Sequence, residues 1–158
     1  MTTYLLDSNV FIEAKNRYYG LDFCPAFWDW VEQQNDAGRV FSIEKVGDEL
    51  AAGQDNLATW SSGFGTKLFL PPTAAMLPSL SAVSQWVSGQ RFLPSAVTDF
   101  LQGADYYLVA CAHANDYVVV THEVPSDGVK RVKIPNVCIG MRVKFMNTFE
   151  MLRMEQAR

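Results

Sequence analysis

An α/β fold with a central, mostly parallel sheet and helices on both faces is what this sequence predicts. Two observations carry that prediction. Tyr4-Leu5-Leu6 and Tyr117-Val118-Val119-Val120-Thr121 are short, continuous apolar runs, the pattern of strands buried on both faces rather than on one. Between them lie several stretches with apolar residues at helical spacing, and strands separated by helices pair in parallel.

The elements follow in order. Tyr4-Leu5-Leu6 stops at Asp7-Ser8-Asn9, which can cap a helix carrying Val10, Phe11 and Ala14. Pro25, at a first-turn position, opens a second helix with Phe27, Trp30, Val31 and Gln34 on one side, ending near Gly38. Val40-Phe41 reads as a short extended link. Ser42 then caps a third helix running through Ala52, with Ile43, Val46 and Leu50 as its apolar stripe and Gly53 as its stop. Asn56 to Ser61 is compatible with another turn of helix before Gly63 and Gly65.

Pro71-Pro72-Thr73 punctuates the chain ahead of a helix from about Ala74 to Ser88. The run from Gly103 to Asn115 is apolar and helix-favouring, so a central, buried helix is expected there. After the Tyr117–Thr121 strand comes a loop from His122 to Lys133, then Ile134-Pro135-Asn136-Val137-Cys138-Ile139 as a further strand with its proline at the start. Asn147 to Arg153 reads as a closing helix.

At 158 residues and 49% hydrophobic, the chain is expected to form one domain, residues 1–158, with one core and no need of disulfides. Cys24, Cys111 and Cys138 are odd in number and set in apolar surroundings, as reduced core thiols are. Cys111 and His113 lie two apart on a helix and face different ways, which argues against zinc. No basic segment precedes a long apolar run, and no stretch reaches the about 18 apolar residues of a membrane span, so a cytoplasmic protein is expected.

The acids carry the chemistry. In parallel sheets, ligands sit outside the carboxyl ends of the strands, and Asp7 and Glu123 both fall just past such an end. Successive helical residues turn by about 100°, so Glu49 flanks the apolar stripe of its helix while Asp48 points nearly opposite to it. Asp105 shares a face with Leu108, Val109 and Ala112. A carboxylate on an apolar face needs compensation, and the helix dipole returns only about 0.5–1 kcal/mol. No nearby Lys or Arg is an obvious partner, whereas Asp7, Glu49 and Glu123 can share a divalent cation with it. Oxygen-only donors favour Mg²⁺ or Mn²⁺ over zinc.

The order of these features, strand-Asp7-Ser8-Asn9, then Glu49-Leu50 on a helix, then Ala104-Asp105 heading an alanine-rich helix, then Val118-Val119-Val120-Thr121 and an acid two positions on, resembles the PIN domain. The resemblance runs from Leu5 to the closing helix. It is strongest to stand-alone prokaryotic proteins of the VapC type, RNA-cleaving toxins neutralised by a small antitoxin. It implies a three-layer α/β/α PIN-like fold and a Mg²⁺- or Mn²⁺-dependent endoribonuclease. It further implies that Asp7, Glu49, Asp105 and Glu123 hold the metal and act in catalysis, with Asn9 and Thr121 supporting them. Glu123 stands where the family usually has aspartate, and Asp127 is the fallback for that fourth acid.

The net charge of −4 argues against a nucleic-acid partner only until the acids are sorted by place. Setting aside the four proposed ligands, the remaining acids equal the 13 Lys and Arg in number. From Gly128 to Thr148 there is no acid, while Lys130, Arg131, Lys133, Arg142 and Lys144 fall there, and the first three are candidates for an RNA-binding rim. The segment Phe23 to Trp30 can serve as core or as a homodimer face. Two other readings are a catalytically silent PIN-like module that acts by binding protein, and a phosphohydrolase of small esters. The lack of a D-x-D pair at the first strand and of a Gly-rich phosphate loop speaks against the latter.

Overall fold

The two continuous apolar runs are adjacent central strands. The computed structural model describes residues 1–156. In it, β1 (Tyr4–Leu6) is flanked on one side by β2 (Val40–Ile43) and β3 (Phe69–Leu70), and on the other by β4 (Val118–Val120) and β5 (Phe145–Met146). Every pairing is parallel, and Leu6 of β1 stands opposite Val120 of β4. Asp7 and Thr121, the next residues, therefore leave the sheet side by side. The chain first builds outward from β1 to β3 and then returns to place β4 on the far side of β1. Such a reversal leaves a crevice at the carboxyl ends of the two strands.

The helices are α1 (Ser8–Glu13), prolonged by a π-helical segment at Ala14–Tyr18, then α2 (Pro25–Asp36), α3 (Glu44–Ala51) and α4 (Asn56–Ser62). After them come α5 (Leu77–Ser88), α6 (Pro94–Gln102), α7 (Ala104–Asn115), α8 (Ile134–Met141) and α9 (Thr148–Gln156). Leu108 to Ala112 of α7 are all buried, and α7 packs against α5, α6 and α8 as well as β4. A helix apolar on every side is a core helix. One continuous hydrophobic cluster joins the strands and helices. Among the described residues no helix is long and apolar enough to cross a membrane.

Four features differ from the expectations. Ser42 does not cap the third helix: it is fully buried within β2, where its Oγ donates to the Leu6 carbonyl at 2.6 Å, and α3 begins two residues later. Ile134–Ile139 is not a strand but most of α8. Proline in a first helical turn sacrifices no hydrogen bond, and Ile134, Val137 and Cys138, spaced at i, i+3 and i+4, are the buried face. α6, β3 and β5 carried too little signal, the two strands being two residues each. On α2 the buried residues are Phe27, Trp28, Val31 and Asn35, so Trp28 and Asn35 stand in the core where Trp30 and Gln34 were expected, while Phe23 before the helix is exposed.

Gly47 matters for placing α3. A Cβ there would lie 2.8 Å from the Phe69 ring, so only glycine lets α3 approach β3 this closely. That approach sets where Glu49, two residues along the same helix, can reach.

Candidate functional site

Asp7 follows β1 and is 3% exposed. Its backbone N–H still bonds the Val120 carbonyl at 2.9 Å, so the strand pairing itself holds it at the β1/β4 crevice. One carboxylate oxygen accepts from the Ser8 N–H at 2.7 Å, as a helix cap does, and the other from Thr121 Oγ at 2.9 Å. Asn9 links the same two strand ends: its Nδ2 donates to Thr121 Oγ at 3.4 Å and its Oδ1 accepts from the His122 N–H at 3.2 Å. Thr121 thus bonds the Asp7 carboxylate directly, and Asn9 is connected to it through Thr121.

Burial, then the charges of Asp105 and Glu123, push the Asp7 carboxyl up to about 7, against the lowering effect of Thr121 and Ser8. Asp105, in the first turn of α7, is pushed up to about 6 by burial, then by Glu123 and Glu49; Arg131 and Lys133 oppose the rise. These influences fix the arrangement. Asp7 feels the charges of Asp105 and Glu123, and Asp105 those of Glu123 and Glu49, so Asp105 links the four acids although they come from four separate places in the chain. Asp48 belongs elsewhere, in a cavity of about 310 Å³ between α3 and α4 with Gly47 and Phe69.

Glu123 has partners that the sequence did not reveal. Its Oε1 accepts from the Ile134 N–H at 3.2 Å, at the N-terminus of α8, and its Oε2 lies 3.9 Å from Arg131. The positive end of a helix favours a carboxylate there. Pro135 was the available signal, since proline just inside a helix start is common. Asp127, the fallback acid, lines a different groove with Trp86 and Phe92, so Glu123 is the acid of this loop that faces the crevice. Cys138 lies close enough to Glu123 and Asp7 for their charges, after burial, to push its thiol up to about 12. It is an inert core thiol.

The basic loop comes to the same edge. Lys130 and Arg131 line a cavity of about 210 Å³ together with Asp105 and Phe100. His122 is held by Thr148, whose Oγ is 3.0 Å from Nε2, and burial pushes the imidazole below its ordinary range.

A divalent cation suits this donor set in chemistry: carboxylate oxygens without a Lys or Arg ion pair at Asp7, Glu49 or Asp105 among the described residues, and a buried carboxyl raised by its own neighbours. As arranged here, no three Asp, Glu, His or Cys side chains among the described residues stand close enough to share one ion. Glu49 is exposed and Glu123 is tied to α8, so closing the set requires rotation of these two longer side chains.

Over residues 4–158 the chain matches the family described as Domain of unknown function (DUF4411), and it belongs to that family. No curated protein and no solved structure matches it.

Proposed function

We propose that this member of the family is a PIN-like, Mg²⁺- or Mn²⁺-dependent endoribonuclease of the VapC type, the toxin of a pair with a small antitoxin. The observation that carries the reading is the buried Asp7 at the carboxyl edge of β1 and β4, with the charges of Asp105 and Glu123 acting on it and that of Glu49 acting on Asp105. Carboxylates gathered where burial and like charge disfavour ionisation are costly unless they serve a ligand.

Asp7 and Asp105 are the fixed holders, the first clamped by Ser8 and Thr121, the second mounted on the core helix α7. Glu49 and Glu123 are the adjustable ones. Together these side chains would hold a divalent cation, which would supply a more acidic water and positive charge for the phosphate in hydrolysis. Thr121 and Asn9 keep the Asp7 carboxylate in one orientation. A carboxylate of the set takes the proton of the attacking water. Lys130, Arg131 and Lys133 hold the phosphates on either side of the cut, next to Asp105.

Purified protein is expected to cut single-stranded RNA with Mn²⁺ or Mg²⁺ and to be silent in EDTA; cleavage that persists in excess chelator counts decisively against the reading. A second reading, a silent PIN-like module, is favoured by one observation: Glu123 is already bonded to α8 and paired with Arg131. In that case Mn²⁺ leaves the melting temperature unchanged, whereas a metal site raises it by mass action.

A further inference from the structure

Three aromatic rings meet beside the acids. Tyr18, at the end of the π-helical segment, has its ring centroid 5.1 Å from Phe149 and 6.2 Å from His122, and the last two rings are 5.9 Å apart. Two of the three are anchored. His122 is held through its ring by Thr148 and through its backbone by Asn9, which also touches Thr121 at the Asp7 carboxylate. Phe149 is in the first turn of α9. The cluster is thus connected to Asp7 by a chain of hydrogen bonds three residues long.

Tyr18 and Tyr19 show what is unusual. Tyr19 turns inward and stacks on the buried Phe27 at 4.8 Å and 11°. Tyr18, one residue earlier, remains 49% exposed although it has three ring neighbours, Tyr19 itself at 6.3 Å, His122 and Phe149. The Tyr19 N–H bonds the Ala14 carbonyl, five residues back, which is the π-turn that ends this segment. Such turns are rare in helices and recur at functional sites. An exposed aromatic face held rigidly beside phosphate chemistry suits one kind of occupant. Unpaired bases stack on such faces, and a base in a duplex cannot.

We propose that Tyr18, backed by His122 and Phe149, is a stacking platform for an unpaired base next to the scissile phosphate, and that it selects single-stranded RNA. The proposal rests on the nuclease reading, to which it adds the residue that recognises an unpaired base. Tyr18 presents the outer face, while His122 and Phe149 keep its ring from turning away. The platform lies on the His122 side of Glu123 and the basic loop on the Arg131 side, so a strand crossing the acids can be held at both ends.

The test is binding of a short single-stranded RNA in EDTA, which separates recognition from cleavage, alongside cleavage with Mn²⁺. Tyr18→Leu is expected to weaken single-strand binding roughly tenfold, the effect of losing one stacked base. Tyr18→Trp restores it, and weak binding of the same sequence as a duplex is unchanged in both variants. RNAs with one abasic position provide the check that does not depend on how a variant folds. In the wild type, one abasic position should cost as much as Tyr18→Leu, and the two losses together should not add. Wild-type cleavage with Mn²⁺ but equal binding by Tyr18→Leu, or equal loss at every abasic position, overturns the platform and leaves the nuclease standing. A wild type that neither binds nor cuts RNA overturns both.

Discussion

The two ends of β1 each bury a carboxylate, and they compensate it in opposite ways. At the amino end, the side chain of Glu155 of α9 is 6% exposed; it accepts from the Tyr4 hydroxyl at 2.5 Å and lies 2.6 Å from Arg39 Nη2 as an ion pair. At the carboxyl end, Asp7 is about as buried but has a hydroxyl and an amide for partners, with further carboxylates as its charged neighbours. A buried acid opposite arginine is stabilised as the anion. A buried acid among acids is held back from ionising. The first arrangement docks a helix; the second stores a demand for positive charge that the chain does not itself satisfy.

Removing charge at the acidic end should break the comparison most visibly. Asp105→Asn is expected to lower Mn²⁺-dependent cleavage about 10³-fold, within the range for a positioned catalytic group, while raising the melting temperature in EDTA. Calorimetry at low salt, where repulsion is least screened, measures the second effect. A lower melting temperature with a full response to Mn²⁺ would mark Asp105 as a structural partner.

The pH dependence of stability separates the two ends next. The folded carboxyl of Asp7 stands near 7 against an unfolded value of 3.8. Between those values the folded state holds the proton and the unfolded state has lost it. Stability in EDTA should therefore fall as pH rises from about 4 to 7, by up to roughly 4 kcal/mol from this group, and then level off. Asp7→Asn should flatten that slope. Urea unfolding across this pH range, comparing the two proteins, is the measurement.

At the amino end the sign reverses. Glu155→Gln leaves the Arg39 charge without its anion and is expected to cost roughly 3 kcal/mol in urea unfolding, with cleavage by the folded protein unaltered. A stabilised Glu155→Gln would erase the distinction between the ends. The smallest contrast lies on α3. Glu49→Gln should lower cleavage about 10²-fold and Asp48→Asn hardly at all, because only Glu49 acts on Asp105. Equal losses in a steady-state assay would mean that α3 presents a different face.

Much of the site was legible because it rests on local rules. Asp7 follows a continuous apolar run, and such runs end at the sheet edge where ligands bind. Asp105 heads a helix whose next turns are wholly apolar, so its position near the core could be read from helical phase. Glu49 and Asp48 were set apart by the same phase; the structure leaves both exposed, with Glu49 acting on Asp105 and Asp48 lining a cavity with Gly47 and Phe69. The segment Ile134–Ile139 was misread because its β-branched residues fit a buried strand as well as a helical stripe. Ser42 suits a helix cap or a strand equally, and only the Leu6 carbonyl of the neighbouring strand decides between them.

By itself, then, the sequence determined the alternation of strand and helix, the burial of α7 and the positions of the acids along the chain, since these follow from periodicity and from caps within a few residues. Tertiary structure alone decided that β4 pairs with β1, that Glu123 docks on the first turn of α8, and that Tyr18 reaches His122 and Phe149. Those contacts join residues between 11 and 131 positions apart. Nothing in a local pattern encodes such a pairing, because its energy comes from surfaces that exist only after the chain has closed on itself.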